Sequence, residues 1–458
     1  MVKKTLCTIL TAVMFISTLS GCAATKPSTA PKPSSTTTSK TTTLSFMDVS
    51  PSPARQAYFT KTFEEFKKES GISVAYQSVP WDDAANKMTV LGASGQLPDV
   101  MTTWAGWLGQ YTTAGWVIPI DKYIKGTEDE YTDVVRDIVW KSENQLYGNT
   151  YTVPDGMMVK GVFVRKDWAK EKDITLDPKE GWTYDEYFDV VKKLTDVAKK
   201  RFGTSYRGSR GAFDPLLVYL ESFNGGSLYA KDGSSLINSD ESLDGFKKWT
   251  NLYLDGYAPK DSINWGFTEM VDNFTGGLTG TLINDSEVAA TCEAKMKPEQ
   301  WMVMPMPKST KDGNIYNTLG SPYAYTISGN AKDPDSAWKL IEFLTRPENN
   351  IEYCKMGGLI PIKKAVSDDP TYGTNGVYSA FVEQLNNPDL VVPVSYGAFS
   401  YTDMHQGMLH EEVQKYLLGK EDAKTALGKI SGELETRMKK YLADNEGTKV
   451  EEPKSLSK

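Results

Sequence analysis

The chain has 458 residues and a formal net charge of −8 at pH 7, with 40% hydrophobic and 11% aromatic residues. This length suggests two or three domains with substantial cores. Acidic and basic residues are interspersed, which argues against a nucleic-acid partner because neutralising phosphates needs a basic patch. Only two histidines are present, so little is available for metal binding or histidine-based catalysis.

The N-terminus is predicted to be a targeting segment. Basic residues within Met1–Lys4 precede an uncharged apolar run, Leu6–Leu19, that is too short to span a bilayer comfortably. The run leads into Leu-Ser-Gly-Cys ending at Cys22, which resembles the lipobox of bacterial lipoproteins. The resemblance implies a signal peptide over residues 1–21 and lipidation of the Cys22 thiol, with two or more acyl chains holding the protein on the membrane. A secreted protein with a chance cysteine is the alternative.

Two segments are predicted to lie outside the folded part. Residues 22–43 are rich in Ser, Thr, Pro and Lys and lack large apolar side chains, which predicts a flexible tether. The composition of this tether favours a Gram-positive surface over a Gram-negative periplasm. Residues 446–458 are predicted to form a polar, frayed tail.

Strands and helices alternate after the tether. Residues 44–47 and 72–76 predict two strands, and the helix between them ends at Gly71. Its apolar face carries Phe59, Phe63 and Phe66 at helical spacing. Because strands separated by helices form βα units, we expect a largely parallel sheet.

Later helices have clear start signals. Thr183 and Glu186 are spaced as a capping box. Asp333 before Pro334 predicts an N-cap followed by a first-turn proline. A C-terminal amphipathic helix has an apolar face formed by Ala423, Leu427, Ile430, Leu434 and Met438.

The segment Gly148–Trp168 contains a break at Pro154-Asp155-Gly156, followed by a short apolar run. Proline fixes φ and glycine frees it, so the backbone can turn here between two elements or two domains. We interpret the break as the first crossing between two lobes, with the Asp155 carboxylate facing the space between them. An ordinary loop between two strands is the alternative.

The four cysteines have different expected fates. Cys7 leaves with the signal peptide and Cys22 carries lipid. Cys292 and Cys354 either pair in an oxidising compartment or remain two buried thiols, and their spacing does not decide between these alternatives.

Several short stretches occur in order across nearly the whole mature chain. They are Phe63–Phe66, Gly71–Val74, Leu97–Val100, Gly115–Ile120, Tyr147–Pro154, Arg165–Trp168, Arg207–Gly211, Asn224–Gly226, Phe274–Gly277, Pro305–Pro307, Ala337–Leu344 and Gly357–Pro361. Together they resemble the extracellular solute-binding proteins of ATP-driven importers, the maltose-binding-like group (family 1).

This resemblance implies an α/β fold of the two-lobed, type II periplasmic-binding-protein kind. Each lobe would have a central, mostly parallel sheet flanked by helices, with the ligand cleft between the lobes. By analogy the N-terminal lobe comprises residues 44–154 plus 319–368. The C-terminal lobe comprises residues 155–318 plus 369–445.

A carbohydrate site needs flat aromatic side chains for the apolar faces of the sugar and charged or amide groups for its hydroxyls. Candidates lie at predicted strand ends, where open α/β sheets bind ligands. Trp104 and Trp107 lie in a loop that lines the cleft in the family; packing under the next helix is the alternative. Trp81 and Asp82 lie in the loop after the second strand. Asp48 follows the first strand and is otherwise a helix cap.

The resemblance nominates further residues in the crossings and in the C-terminal lobe. Asp155 occupies a cleft position and Tyr323 lies at the second crossing. Asp285 follows a strand predicted over residues 278–283, where relatives often place an aromatic residue, so a polar contact is expected instead. Arg210 could reach a hydroxyl or an acidic group, with a solvated arginine as the alternative. One stacking aromatic is expected among Tyr396, Phe399 and Tyr401.

Enzyme chemistry finds little support in the sequence. The segment from His410 begins like a zinc-protease helix, but Gln414 stands where a second histidine is needed. The sequence has neither a Gly-x-Ser-x-Gly elbow nor a phosphate-binding Gly-Lys-Ser/Thr loop, and no carboxylate pair stands out for a glycosidase.

The sequence therefore predicts a non-enzymatic, lipid-anchored substrate-binding protein of an ABC importer, without metal or cofactor. It would capture a mono- or oligosaccharide by hinge closure and deliver it to permease subunits. The expected partners are that carbohydrate, the permease and the membrane through the lipid anchor, and the expected state is a monomer. A surface glycan-capturing or sensor-associated protein without a transporter, or a receptor for a non-sugar solute, is the alternative.

Overall fold

Short strands and helices alternate along most of the chain. We describe them in a computed structural model, over residues 42–455 except residues 210, 321–322, 367–368, 374–375 and 395–402. The strands are β1 (Thr43–Asp48), β2 (Ser73–Ser78), β3 (Val100–Thr103), β4 (Val153–Pro154), β5 (Met158–Arg165), β6 (Thr281–Asp285), β7 (Trp301–Met304), β8 (Ile315–Tyr316), β9 (Leu319–Gly320), β10 (Ala324–Ile327), β11 (Leu390–Val392) and β12 (Lys454–Ser455).

The helices flank these strands. They are α1 (Pro53–Ser70), α2 (Trp81–Ala93), α3 (Ala105–Thr113), α4 (Asp121–Ile124), α5 (Lys141–Tyr147), α6 (Lys166–Glu171), α7 (Tyr184–Leu194), α8 (Phe213–Glu221), α9 (Asp240–Leu254), α10 (Phe267–Thr275), α11 (Val288–Lys295), α12 (Pro334–Leu344), α13 (Pro347–Gly357), α14 (Ser379–Leu385), α15 (Leu409–Leu417) and α16 (Ala423–Asp444). Two π-helical segments, Val134–Trp140 and Met404–Met408, lead directly into α5 and α15.

The sheet of the first lobe has the order β2-β1-β3-β10-β4. Strands β1, β2 and β3 are parallel to one another, as expected for βα units, whereas β10 runs antiparallel to both β3 and β4. Strand β10 enters this sheet from the other lobe, so it does not follow the direction set by the helical connections. The prediction of a largely parallel sheet is therefore confirmed for β1–β3.

The sheet of the second lobe is organised differently from the prediction. Its central strand β5 lies between β6 and β7 and is antiparallel to both, and β9 also pairs with β5 in the antiparallel sense. The prediction of a mostly parallel sheet is wrong here. Strand β5 arrives directly from the first lobe, whereas β6 and β7 arrive from helices of their own lobe.

Three passages of the chain between the lobes lie side by side. The predicted break at Pro154–Gly156 coincides with the passage from β4 to β5, and the chain returns between β9 and β10. A third passage follows α13, where Ile360 and Met157 exchange backbone hydrogen bonds of 2.8 and 2.9 Å. The exact lobe boundaries stay predictions.

Local signals account for several helix ends. The Thr183 hydroxyl accepts from the Glu186 amide and the Glu186 carboxylate accepts from the Thr183 amide, which confirms the capping box at α7. The Asp333 carboxylate accepts from the Ser336 amide and caps α12. Gly71 ends α1 with φ of 74°, a conformation that glycine adopts without steric penalty.

The C-terminal segment is more ordered than predicted. Strand β12 pairs antiparallel with β11, and Val450 packs against the core. A polar frayed tail is therefore wrong for this part of residues 446–458. The polar composition of the segment did not indicate that Val450 packs against the core or that β12 pairs with the edge of β11.

Cys292 and Cys354 are both buried, free thiols, so the two-thiol alternative holds. Burial raises the pKa of the Cys292 thiol to about 12, which keeps it protonated and unreactive. Within the residues described, no helix combines the length and apolar character needed to cross a bilayer.

Candidate functional site

Four aromatic side chains of the first lobe form one group, which we call the aromatic cluster: Trp81, Trp104, Trp107 and Tyr323. Trp81 stacks on Trp107 with ring centroids 4.9 Å apart and an interplanar angle of 19°. Trp104 and Tyr323 each form an edge-to-face pair with Trp81, with ring centroids 5.8 and 5.6 Å apart. Such offset and edge-to-face pairs hold the rings in fixed orientations.

The members of the aromatic cluster differ in exposure. Trp107 is 4% exposed and forms the base, whereas Trp81, Trp104 and Tyr323 are only partly buried. Trp81 was predicted in a loop, but it is the first residue of α2, which fixes its backbone. Trp81 and Trp104 therefore offer the better faces for a ligand, and direct stacking on Trp107 stays a prediction.

The predicted carboxylates Asp48 and Asp155 are fully buried and hold Arg55, which the sequence analysis missed. Asp48 Oδ1 and Oδ2 accept from Arg55 Nη2 and Nε at 2.8 and 3.2 Å, and Oδ2 also accepts from the Tyr76 hydroxyl at 3.1 Å. Asp155 Oδ2 accepts from the Tyr353 hydroxyl at 2.6 Å. Both carboxylates are therefore engaged with Arg55 and its tyrosine neighbours, and direct contact of either one with a ligand stays a prediction.

Arg55 connects these carboxylates to the aromatic cluster. Its Cζ lies 5.3 Å from the ring centroid of Tyr323, and its Nη1 lies 3.8 Å from Asp155 Oδ2. The predicted first-lobe and crossing residues for which side chains are described thus form one connected group. No local pattern marks Arg55 in the sequence, because its partners are brought together by tertiary structure.

The second lobe contributes a second charged group. Asp285 ends β6, two residues later than the predicted strand end, and pairs in register with Lys160 of β5. Lys160 Nζ donates to both Asp285 oxygens at 3.0 and 2.9 Å. The pair lines a cavity of about 70 Å³, together with Tyr206, Arg207 and Asn284.

Glu287 links the two groups electrostatically and was also missed. The pKa of Glu287 is raised to about 7: burial has the largest effect and Asp285 adds to it, whereas Lys160, Arg207 and Arg55 lower the pKa. Its charge also raises the pKa of Tyr323. A carboxylate from the second lobe therefore lies within electrostatic range of first-lobe residues. Its position at the junction of β6 and α11, two residues beyond Asp285, was the available sequence signal.

Some predicted residues cannot be placed. Asp82 is the second residue of α2, but its side chain lies outside the described part. The remaining predictions outside the described residues are Cys22, Arg210, Tyr396, Phe399 and Tyr401.

Replacing Asp155 by asparagine is expected to flatten the dependence of stability on pH. Burial is the largest influence and raises the pKa of Asp155 to about 7, against the lowering effects of Arg55 and Tyr353. Above the ordinary aspartate pKa of about 4, the unfolded state therefore binds fewer protons than the folded state, so stability falls as pH rises until about pH 7. Between pH 5 and pH 7 this loss is roughly 2 kcal/mol, and Asp155→Asn lacks it.

Chemical unfolding of both proteins across this pH range measures the difference. Asp244→Asn serves as the control, because the Asp244 side chain is 82% exposed. Parallel stability curves for the wild type and Asp155→Asn would contradict the prediction that the buried Asp155 carboxyl keeps its proton in the folded state.

The comparison with known proteins defines the class. A family model for bacterial extracellular solute-binding proteins matches residues 50–351, and the chain belongs to that family. The galactooligosaccharide-binding protein of Bacillus subtilis (strain 168) is 25% identical over 378 residues, covering 79% of this chain and 82% of the relative. The family predicted from the sequence is thereby confirmed.

Solved structures agree on the fold. Maltose-bound MalE3 of T. maritima matches with a TM-score of 0.72 and 21% identity over 86% of this chain and 100% of that chain. A solute-binding protein of Thermotoga lettingae, bound to α-D-tagatose, matches with a TM-score of 0.70 and 19% identity over 87% and 100%. The two-lobed binding-protein fold is confirmed, and members of this class bind solutes and catalyse no reaction.

Proposed function

We propose that this protein captures a neutral carbohydrate between its lobes and delivers it to an ABC permease. The observation that carries the proposal is the aromatic cluster, whose partly exposed Trp81 and Trp104 lie beside a buried network of carboxylates and arginine. A sugar presents an apolar face, on which the tryptophan rings can stack, and an edge of hydroxyls, which the carboxylates and arginine can hydrogen-bond. Burial of the face contributes roughly 25 cal/mol per Å².

Charge pairing supports a neutral ligand over an anionic one. The Arg55 guanidinium is engaged by Asp48 and the Lys160 ammonium by Asp285, so each of these cations already has a carboxylate partner. An anionic solute would have to displace a buried carboxylate from its partner, and breaking a buried pair costs about 3–5 kcal/mol. Sugar hydroxyls can instead share these groups as additional hydrogen-bond partners.

The relatives support the same ligand class. The B. subtilis relative is named for galactooligosaccharides, and the two solved structures hold maltose and tagatose. Closure of the lobes about the three passages would bury the ligand, and micromolar affinity needs only about −8 kcal/mol. We place the protein on the outer face of the membrane as a monomer, held by lipid on Cys22 and spaced by residues 22–43.

Isothermal titration calorimetry against a panel of solutes tests the ligand. The panel comprises maltose, maltotriose, galactobiose, tagatose and mannitol, with leucine, spermidine and a tripeptide as controls. We expect heat from at least one sugar or polyol and none from the controls. A response confined to the amino acid, polyamine or peptide would overturn the ligand class.

Metabolic labelling with radioactive palmitate tests the anchor separately. We expect incorporation into the wild type, loss of the label in Cys22→Ser, and release of that variant into the medium. Equal membrane retention of both proteins would refute lipidation at Cys22.

A further inference from the structure

One arginine of the first lobe contacts two of the chain passages between the lobes and the helix that leads into the third. Arg55 lies in the first turn of α1, and its Nη2 and Nε donate to the two oxygens of Asp48 at the end of β1. A bidentate arginine–carboxylate pair fixes the plane of the guanidinium as well as its position. The Nη1 edge of the same group is left for partners outside the β1–α1 unit.

The Nη1 edge meets the first passage and the helix that leads into the third. Nη1 donates a short hydrogen bond to the Tyr353 hydroxyl and lies 3.8 Å from Asp155 Oδ2. The Tyr353 hydroxyl donates in turn to the same Asp155 oxygen at 2.6 Å, which closes a triangle of three polar groups. Asn350 of α13 also binds this passage, since its Nδ2 donates to the Asp155 carbonyl at 2.8 Å.

The second passage is held through Tyr323. The Arg55 Cζ lies 5.3 Å from the Tyr323 ring centroid, within the range of a cation–π contact. The backbone carbonyl of Tyr323 accepts from the Asp155 amide at 3.2 Å. The first and second passages are therefore joined both directly and through Arg55, and Tyr323 also belongs to the aromatic cluster.

We propose that Arg55 is the positioning residue of the hinge: its guanidinium, anchored on Asp48, fixes the passages at Asp155 and Tyr323 and helix α13 at Tyr353 relative to one another and sets the resting angle between the lobes. The inference deepens the proposed function, because that angle determines how the aromatic cluster meets a ligand. Lysine cannot replace this group, since a single ammonium lacks the planar fork that reaches several partners at once.

The carboxyl groups around Arg55 provide a readout that packing alone would not move. Arg55 lowers the pKa of both Asp155 and Glu287, opposing the larger effect of burial, and both lie at about 7. Removing the Arg55 charge is therefore expected to move both ionisations to higher pH. The other groups facing these two carboxyls are Asp48, Tyr58, Lys160, Arg207, Asp285, Tyr323, Tyr325, Tyr353 and Cys354.

The test measures the distance between the lobes without any ligand. Fluorophores are attached at V90C in the first lobe and V197C in the second, because these positions are 64% and 66% exposed. Residues 41–458, which form one compact unit, provide the sample, and the buried Cys292 and Cys354 are protected from labelling. Single-molecule energy transfer is recorded from pH 5 to pH 8 for the wild type and the variants.

The variants separate the geometry of Arg55 from its charge. Arg55→Lys keeps the charge without the fork. Asp48→Asn/Arg55→Met removes both members of the bidentate pair, and among the described residues the Asp155 carboxylate then keeps only its hydrogen bond from the Tyr353 hydroxyl. Arg346→Met is the matched control, because Arg346 forms a bidentate pair with Glu69 at 2.7 and 2.9 Å on the same lobe but contacts none of the passages described above.

We expect Arg55→Lys to fold, with a shifted and broadened distance distribution, and Arg346→Met to match the wild type. The double variant should also move the pH midpoint of any distance change upward through loss of the Arg55 charge, and loss of the Asp48 charge, which raises the Asp155 pKa, should offset part of that shift. An unchanged distribution and midpoint in both Arg55 variants would overturn the proposal. Unfolding of Arg55→Lys would also overturn it, by making Arg55 a folding determinant. These measurements need no sugar. If no sugar in the calorimetry panel binds, that result contradicts the proposed function but not the role of Arg55 in the hinge.

Discussion

Replacing Trp81 and Trp104 together by alanine is expected to weaken sugar binding about a thousandfold. Truncating an aromatic anchor at the centre of a binding site costs roughly 2 kcal/mol or more, and two such losses multiply in the dissociation constant. Both rings are partly exposed and are held in place by Trp107 and Tyr323. Titration calorimetry with the sugar that gives the largest heat in the panel measures the loss.

The control for this pair is Trp338→Ala. Trp338 is also a partly buried tryptophan of the first lobe, stacked on Tyr123 with centroids 5.1 Å apart and an interplanar angle of 11°. It belongs to α12 and not to the aromatic cluster, so we expect the affinity to remain within about twofold of the wild type. If Trp338→Ala weakened binding as much as the double variant, or the double variant bound normally, the aromatic cluster would not be the ligand site.

Parts of the fold that depend on neighbouring residues could be predicted from the sequence. The capping box at Thr183 and Glu186 and the cap at Asp333 involve groups three residues apart, so composition and spacing determine them. The break at Pro154–Gly156 was predictable for the same reason, since the backbone properties of proline and glycine are local. The family resemblance added the two-lobed arrangement, which no local signal provides.

The central contacts of the site could not be predicted because they join distant parts of the chain. Arg55 meets Tyr353 across 298 positions, and in the sequence it is an ordinary polar residue of an amphipathic helix. Burial of Asp48 and Asp155 depends on the packing of α1 and α13 against them, and the sequence pattern, which nominated both as ligand contacts, does not contain this information. The antiparallel placement of β5 likewise depends on which lobe the strand enters from.

The hinge combines weak stabilisation with strong geometric constraint. Burying Arg55, Asp48 and Asp155 removes three groups from water that ionise in the unfolded chain, and such buried pairs rarely add net stability. Their value is that few alternative arrangements satisfy them, because a misplaced passage would leave a buried charge without its partner. A receptor that must reach one closed geometry benefits from this restriction more than from an equally large apolar contact.

Glu221 is another buried acid whose raised pKa reduces stability as pH rises. It ends α8 with no exposed surface, and neither carboxyl oxygen has a hydrogen-bond partner among the described residues. Burial raises the pKa of Glu221 well above its ordinary value. The folded state therefore keeps the proton while the unfolded state releases it above the ordinary glutamate pKa of about 4.3.

Stability should consequently fall by about 1.4 kcal/mol for each pH unit above that value, through this group alone. Glu221→Gln keeps the shape but cannot ionise, so we expect it to gain roughly 3 kcal/mol relative to the wild type between pH 5 and pH 7. Urea unfolding at a series of pH values measures this gain, with the exposed Glu64→Gln as the control. If the two stability curves ran parallel over this range, Glu221 would have to ionise in the folded protein. That would require contact with solvent or a hydrogen-bonding partner, and the buried carboxyl group has neither among the described residues.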